Sequence, residues 1–371
     1  MFSYWELKNW IQNIDFAIVG SGIVGLNCAI ALREKYPNAS IIILERGMLP
    51  QGASTKNAGF GCFGSLSELL DDMNTHSEEE MIHLARSRWE GLQALRHLVG
   101  DKAMDYKQYG GYEIFPKGNP EFYESCLEQR DRVNNLLKPY FKQEIFKEEA
   151  NVFNFGNIQE YYMSNTLEGQ LDTGKMMASL LKIAYAKDIK VLNSVIVEGV
   201  EDLGSEVSIT TNAFDLKVKR VFIATNGYAG DLGVTEVKPA RAQVLITEPI
   251  PELKIKGTFH IEEGYYYFRN VDDRILFGGG RHLDLQGETT THMAQTILIQ
   301  EKLEELLRVI ILPDTEFKVA HRWSGIMGVG AAKRPIVKAM SDNVFCGVRL
   351  GGMGIAIGTL IGKELAALES L

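Results

Sequence analysis

The sequence predicts an α/β fold: a Rossmann-type parallel-sheet domain into which a mixed-sheet α+β domain is inserted. Three features of the chain point to it. Residues 15–45 read as strand, glycine turn, helix and strand, which is one βαβ unit. Short apolar runs of the same kind recur at 220–224 (RVFIA) and at 343–348 (NVFCGV). Between these runs lie β-rich, aromatic and amphipathic helical stretches of a different pattern. A chain of 371 residues exceeds one small core and suits two domains. The expected division gives residues 1–85, 157–235 and 322–371 to the discontinuous parallel-sheet domain. Residues 86–156 and 236–321 form the inserted, substrate-side domain.

Taken in order, DFAIVG at 15–20 is a buried parallel strand that ends in glycine. Ile23 to Tyr36 has a helical pattern stopped by Pro37 and Asn38, and SIIILE at 40–45 is a second buried strand. From Ser77 to Val99 the residues Met81, Leu84, Trp89, Leu92 and Leu95 fall on one helical face. Tyr106 to Phe115 is strand-like around Gly110-Gly111. Glu121 to Phe141 and Thr173 to Ala186 read as helices, and Lys190 to Val197 as a strand. Residues 239–280 turn β-rich, with a hairpin expected at Asp272-Asp273. Thr289 to Leu307 reads as one long helix. The chain closes with the 343–348 strand, Gly351-Gly352 and a last helix.

The composition narrows the function. Hydrophobic residues make up 45% and charged residues 23%, which is ordinary for a folded protein. A net charge of -9 disfavours non-specific nucleic-acid binding. Four cysteines (Cys28, Cys62, Cys126 and Cys346) show no C-x-x-C spacing and read as free thiols in a reducing compartment. Met1 to Asn13 lacks the apolar core of a signal peptide, so a cytoplasmic location is expected. No apolar stretch is long enough for a membrane span; Leu350 to Leu368 comes nearest but is Gly-rich and holds Lys363 and Glu364. No metal-binding cluster is visible, and the seven histidines are scattered, with His260 and His321 read as structural.

Gly20-Ser21-Gly22-Ile23-Val24-Gly25 fits G-x-G-x-x-G between a strand and a helix. Gly20 permits the tight turn. Gly22 lets a pyrophosphate approach the backbone, and Gly25 lets helix and strand pack closely. The helix start at Ile23 and Val24 offers N–H groups and a partial positive charge to the phosphates. Glu45 ends the second strand, where a carboxylate accepts from ribose hydroxyls and repels a 2′-phosphate. The GQLDTGK run at 169–175 nearly spells a P-loop, but Met176 stands where Ser or Thr must hold Mg²⁺.

Several separated segments then carry a resemblance: Glu45-Arg46-Gly47 with Gly52 to Gly59 (GASTKNAG), Gly169 to Lys175, Ala224 to Ala229 (ATNGYA), Arg322 to Gly325 (RWSG) and Gly351 to Gly354 (GGMG). In order and spacing they resemble the D-amino-acid-oxidase-like flavoproteins, which include glycine, sarcosine and γ-glutamylputrescine oxidases. The resemblance covers nearly the whole chain. It implies FAD, held without a covalent bond, and it implies contacts with FAD from Arg46, Ala53, Ser54, Lys56, Asn57, Ala58, Gly59, Val197, Thr225, Asn226, Gly227, Gly352, Met353 and Gly354 beside the glycine turn. The last helix start would face the flavin.

By the same resemblance the reaction is oxidation of a C–N bond in a small amine or amino acid, by hydride transfer to flavin N5, giving an imine. O₂ or a carrier takes the electrons. The stretch GYYYFRNVDDRILFGGGR at 264–281 would line the substrate side. Strand alternation puts Tyr265, Tyr267 and Arg269 on one face, so Tyr267 and Arg269 are candidate catalytic residues. Where some relatives carry a carboxylate-binding arginine, this chain has Met327; Arg349 and Arg269 are the candidate substitutes. Two other functions use the same cofactor: a flavin dehydrogenase of a hydroxy acid or polyol phosphate, and a flavin-binding electron-transfer subunit without turnover of its own.

Overall fold

The computed structural model describes residues 1–370. Its strands fall into two eight-stranded sheets and one short pair. The first sheet has the order Ile336–Ala339, Val344–Val348, Leu216–Ile223, Ile14–Val19, Ile41–Leu44, Lys190–Leu192, with Val207–Thr211 and Val197–Asp202 joined at one side. Its central pairs are parallel: Ile14–Val19 runs between Leu216–Ile223 and Ile41–Leu44. Every residue of Ile41–Leu44 and Val344–Val348 is buried, as expected of parallel strands covered on both faces. Helices Ile23–Lys35, Thr173–Ala186 and Gly354–Ala367 contribute to the core against it.

The second sheet has the order Val319–Val329, Lys238–Thr247, Arg274–Gly279, Tyr266–Val271, Thr258–Ile261, Gly111–Ile114, Tyr161–Asn165, Phe146–Ala150. All neighbours are antiparallel except Thr258–Ile261 with Gly111–Ile114. The expected hairpin forms, with Val271 opposite Arg274 and Asp272 at φ 50°. Its aromatic side packs a stack in which Phe259 and Phe268 lie 4.6 Å apart at 7°. Helix Ile297–Leu306 covers that core.

Two expectations are corrected, and one helix is added. The helix expected at 289–307 begins only at Ile297. Thr289 and Thr290 turn their competing hydroxyls on the local backbone: Thr289 Oγ1 donates to Leu285 O at 2.7 Å and Thr290 Oγ1 accepts His292 N–H at 3.1 Å. The Gln243 amide oxygen also holds Thr296 N–H at 2.9 Å and sets the helix start there. The strand expected at 190–197 divides into Lys190–Leu192 and Val197–Asp202 in different parts of the sheet. Helix Leu66–Thr75, unforeseen, opens with a capping box between Ser65 and Glu68.

Sheet membership bears on the domain division. Tyr161–Asn165 and the whole of Val319–Val329 pair in the second sheet, although both reach into segments given to the parallel-sheet domain. Helix Glu78–Val99, which crosses the division at 85, puts Leu92 and Leu95 into the core of the first sheet.

Candidate active site

A cleft of about 350 Å³ joins the carboxyl ends of the first sheet's strands to one face of the second sheet. At its nucleotide end the strand Ile14–Val19 stops at Gly20, whose φ of 103° suits glycine. Close approach is built in: a Cβ on Gly25 would stand 1.9 Å from Gly20 O. A Cβ on Gly22 would stand 2.9 Å from Ser54 Oγ. That hydroxyl also accepts Ile23 N–H at 3.0 Å, so one of the helix-start donors is already used.

Glu45 is 4% exposed and lines the cleft. Its carboxylate accepts Ser21 N–H at 3.0 Å, the Ser21 hydroxyl at 2.5 Å and Gly47 N–H at 3.0 Å. A carboxylate has about four acceptor positions, so capacity remains for a ribose hydroxyl. Beside it the Arg46 guanidinium lies 4.0 Å over the Tyr228 ring. The Thr225 Oγ1 and the Tyr228 hydroxyl are buried, lack a hydrogen-bond partner among the described residues, and belong to residues on the cleft wall. Buried polar atoms without partners are costly, and here they fit a polar ligand.

The one-turn helix Ala53–Lys56 carries the wall onward. Asn57 holds it, donating to Ala53 O and Ser54 O at 3.1 and 2.9 Å and accepting Gly59 N–H at 2.8 Å. The Trp323 indole donates to Lys56 O at 2.9 Å. Asn226 Oδ1 accepts the N–H groups of Arg349 and Leu350 at 3.1 and 3.3 Å, which ties the 225–229 turn to the loop before the last helix. Ala53, Ser54, Lys56, Asn57, Ala58, Gly59, Val197, Thr225, Asn226, Gly352, Met353 and Gly354 line the cleft, with Gly20, Gly22, Ile23, Val24, Glu45 and Arg46. Gly25 and Gly227 do not. Both are packing positions, since a Cβ on Gly227 would stand 2.5 Å from Met327 O.

At the other end Tyr267 is on the wall. Its ring packs edge-on against Phe60 at 5.7 Å, and Phe60 against the His260 ring at 5.4 Å. Burial pushes the Tyr267 hydroxyl up to about 12, so it is a neutral phenol. The two candidate arginines do not reach the cleft. Arg269 is 6% exposed and gives its guanidinium to the carbonyls of Ala58, Asn270 (3.0 Å) and Leu171 (2.9 Å). Burial lowers it to about 10. It clamps strand Tyr266–Val271 to the Ala58-Gly59 turn, a positioning role in place of the expected carboxylate contact. Arg349 sits at φ 63° and donates Nε–H to Arg334 O at 2.9 Å; it too lies off the cleft wall.

His260, read from sequence as structural, lines the cleft and stands 3.7 Å from Glu168. Burial pulls its imidazole down, but Glu168 and the charges of Glu68 and Glu113 outweigh this and raise it to about 9. Burial raises Glu168 as well, and it pushes Glu113 up to about 7 against the hydrogen bonds from Ser67. Cys62, Glu168 and His260 each bring one possible metal-ligand atom within 4.8 Å of the others. Burial holds the Cys62 thiol well above its usual range, so with no ion bound it is a neutral thiol beside a histidine–glutamate pair. No sequence motif marks this group: its members come from positions 62, 113, 168 and 260, and only the fold joins them.

The family model described as DAO, FAD dependent oxidoreductase, matches residues 15–368. The chain is 20% identical to the probable oxidoreductase OrdL of Haemophilus influenzae, over 96% of this chain and 83% of the relative. Glycine oxidase from Geobacillus kaustophilus superposes with a TM-score of 0.75 at 18% identity, covering 96% of this chain and 94% of that one. Iminodiacetate oxidase from Chelativorans sp. BNC1 gives 0.75 at 16% identity, covering 95% and 94%. Among the described residues no helix is long and apolar enough to cross a membrane.

Proposed function

We propose, from the premise that this chain belongs to the DAO family of FAD-dependent oxidoreductases, that it oxidises a C–N bond of a small amine or amino acid to an imine. The observation that carries the reading is the single cleft. It runs from Glu45 and the glycine turn to the aromatic wall of Phe60 and Tyr267, so a long flat cofactor and a small substrate share one enclosure. FAD, when bound there, supplies the two-electron acceptor for the hydrogen lost from the substrate carbon. The amine proton leaves to water, the imine is hydrolysed, and O₂ or a carrier receives the electrons.

The chain's own residues supply binding and surroundings. Thr225 Oγ1, the Tyr228 hydroxyl and the free acceptor capacity of Glu45 suit the polar parts of FAD. We assign the cofactor contacts expected from sequence to the residues that line the cleft, with no covalent bond. Phe60 and Tyr267 exclude water from the reacting carbon. A hydroxy acid or polyol would instead need a resident base. Glu168 holds His260 as an imidazolium below about pH 9, which supports the amine reading.

The test is an anaerobic titration of the yellow protein with amines, amino acids and hydroxy acids, followed in the flavin band. Bleaching by an amine or amino acid is expected. Bleaching by a hydroxy acid alone would overturn the reading. Acid precipitation of the same sample is expected to leave intact FAD in the supernatant; flavin in the pellet would show a covalent bond.

A further inference from the structure

The substrate end of the cleft is acidic, and the reason is visible in the sheet order. Lys56 and Met327 belong to the side of strand Val319–Val329: a Cβ on Gly325 would stand 3.0 Å from Lys56 Cβ. His260 lies on Thr258–Ile261, and strands Lys238–Thr247, Arg274–Gly279 and Tyr266–Val271 come between. Four strand spacings of ~4.8 Å separate the two sides by roughly 19 Å. The other cleft cation, Arg46, stacks on Tyr228 at the nucleotide end.

Glu68 stands on the acidic side. It is half-buried and lines the cleft. One carboxylate oxygen, Oε2, accepts Ser65 N–H at 2.8 Å and caps helix Leu66–Thr75. The other, Oε1, accepts no hydrogen bond from the described residues. It borders Gly264, where a Cβ would stand 2.8 Å away, so the absence of a side chain at 264 keeps this oxygen clear. Behind it His260 is already matched by Glu168, with its Nε2 buried and without a hydrogen-bond partner among the described residues, and the buried Arg88 is paired with Asp72 and gives a donor to Phe63 O. Glu262 and Glu263 are exposed on the turn that carries Gly264. A carboxylate placed here would meet Glu68, and among the described residues the arginine on the cleft wall is Arg46, stacked on Tyr228 at the nucleotide end. A cation would meet a carboxylate oxygen with open acceptor capacity, in the cleft that Phe60 and Tyr267 also line.

We propose that Glu68 is a specificity-determining residue that binds a second cationic group of the substrate. The substrate class is then a diamine, or an amine with a distal ammonium or guanidinium, in preference to an α-amino acid. This rests on the amine-oxidation reading above and sharpens it. The test compares n-butylamine, 1,4-diaminobutane and 2-aminopentanoate as anaerobic reductants of the holoenzyme, wild type against Glu68→Gln. Glutamine keeps an acceptor for Ser65 N–H, so the helix cap survives, and the flavin content of the variant is measured as the check on its folding. The wild type is expected to prefer the diamine. In Glu68→Gln the diamine-to-monoamine ratio of kcat/KM is expected to fall by about 10- to 100-fold, the range for losing a hydrogen bond to a charged group. A wild type that prefers 2-aminopentanoate, or a ratio that Glu68→Gln leaves unchanged, overturns the assignment of Glu68 and leaves amine oxidation standing. Reduction by none of the three while a hydroxy acid succeeds overturns amine oxidation itself, and this proposal with it.

Discussion

At the nucleotide end of the cleft the working atoms are mostly main-chain groups and small side chains; at the substrate end they are large and ionisable side chains. The first end is a turn of three glycines, a one-turn helix and the start of a last helix, each contiguous in the chain. The second gathers Phe60, Glu68, His260 and Tyr267 from separate segments. The difference teaches where change is tolerated. The glycine turn is set by contact distances under 3 Å at Gly20, Gly22 and Gly25 that leave no room for an added Cβ. The substrate end is set by charges and aromatic faces, which can be exchanged without unfolding the chain.

The comparison can be broken most severely at Gly25. A Cβ there would lie 1.9 Å from Gly20 O, so Gly25→Val is expected to yield protein without flavin, or no folded protein. The ratio of flavin to protein absorbance measures it, and a yellow variant with normal flavin content would contradict the packing account. Next in size is Arg269→Met. It takes the side-chain donor from the Ala58 and Leu171 carbonyls, while Asn270 O keeps the Gln170 amide, and should cost roughly 2–5 kcal/mol of stability in denaturant unfolding. If Arg269 instead binds substrate carboxylate, KM will rise steeply while stability stays level.

Tyr267 sharpens the other side. Tyr267→Ala should lower kcat/KM by roughly 10- to 100-fold through looser positioning, with flavin content retained. Tyr267→Phe should remain within about threefold, because the buried phenol is neutral and is not asked to move a proton. A large loss in the phenylalanine variant would assign a role to the hydroxyl. A further effect is on pH. The folded state raises His260 from 6.5 to about 9, so it binds more protons there than the unfolded chain. Its contribution is complete below pH 6.5 and is lost as pH rises through 9. Thermal unfolding should therefore shift to lower temperature across that window, and His260→Gln should flatten the slope. Arg349→Ala, off the cleft wall, should leave KM nearly as it was.

The glycine turn, the parallel strands and the segments along the nucleotide end were legible because their physics is local. A strand ending in G-x-G-x-x-G and a carboxylate closing the next strand can be read by spacing alone. The acidic group at the far end was not legible. His260 alternates with Phe259 on an apolar strand and looks structural until Glu168, from a distant segment, is brought beside it. Arg269 was expected at the substrate because alternation put it on Tyr267's face. Face was the wrong guide, since the carbonyls of Ala58 and Leu171 take up the donors of that side chain. Helix Leu66–Thr75 was missed although its S-x-x-E cap stands in the sequence, and Glu68 was missed with it.

The strand Val319–Val329 gives its backbone to the second sheet while its Trp323 indole is fastened to Lys56 beside the first. The Arg269 clamp onto Ala58 O and Leu171 O, and the Gln170 side-chain amide donating to Asn270 O at 3.1 Å, add two more ties across the same seam. Neither half could be expressed alone as a working module, because each would expose the other's anchoring groups. Heating should melt the molecule in one calorimetric peak, and a tight-binding occupant of the seam would raise that single peak as a whole.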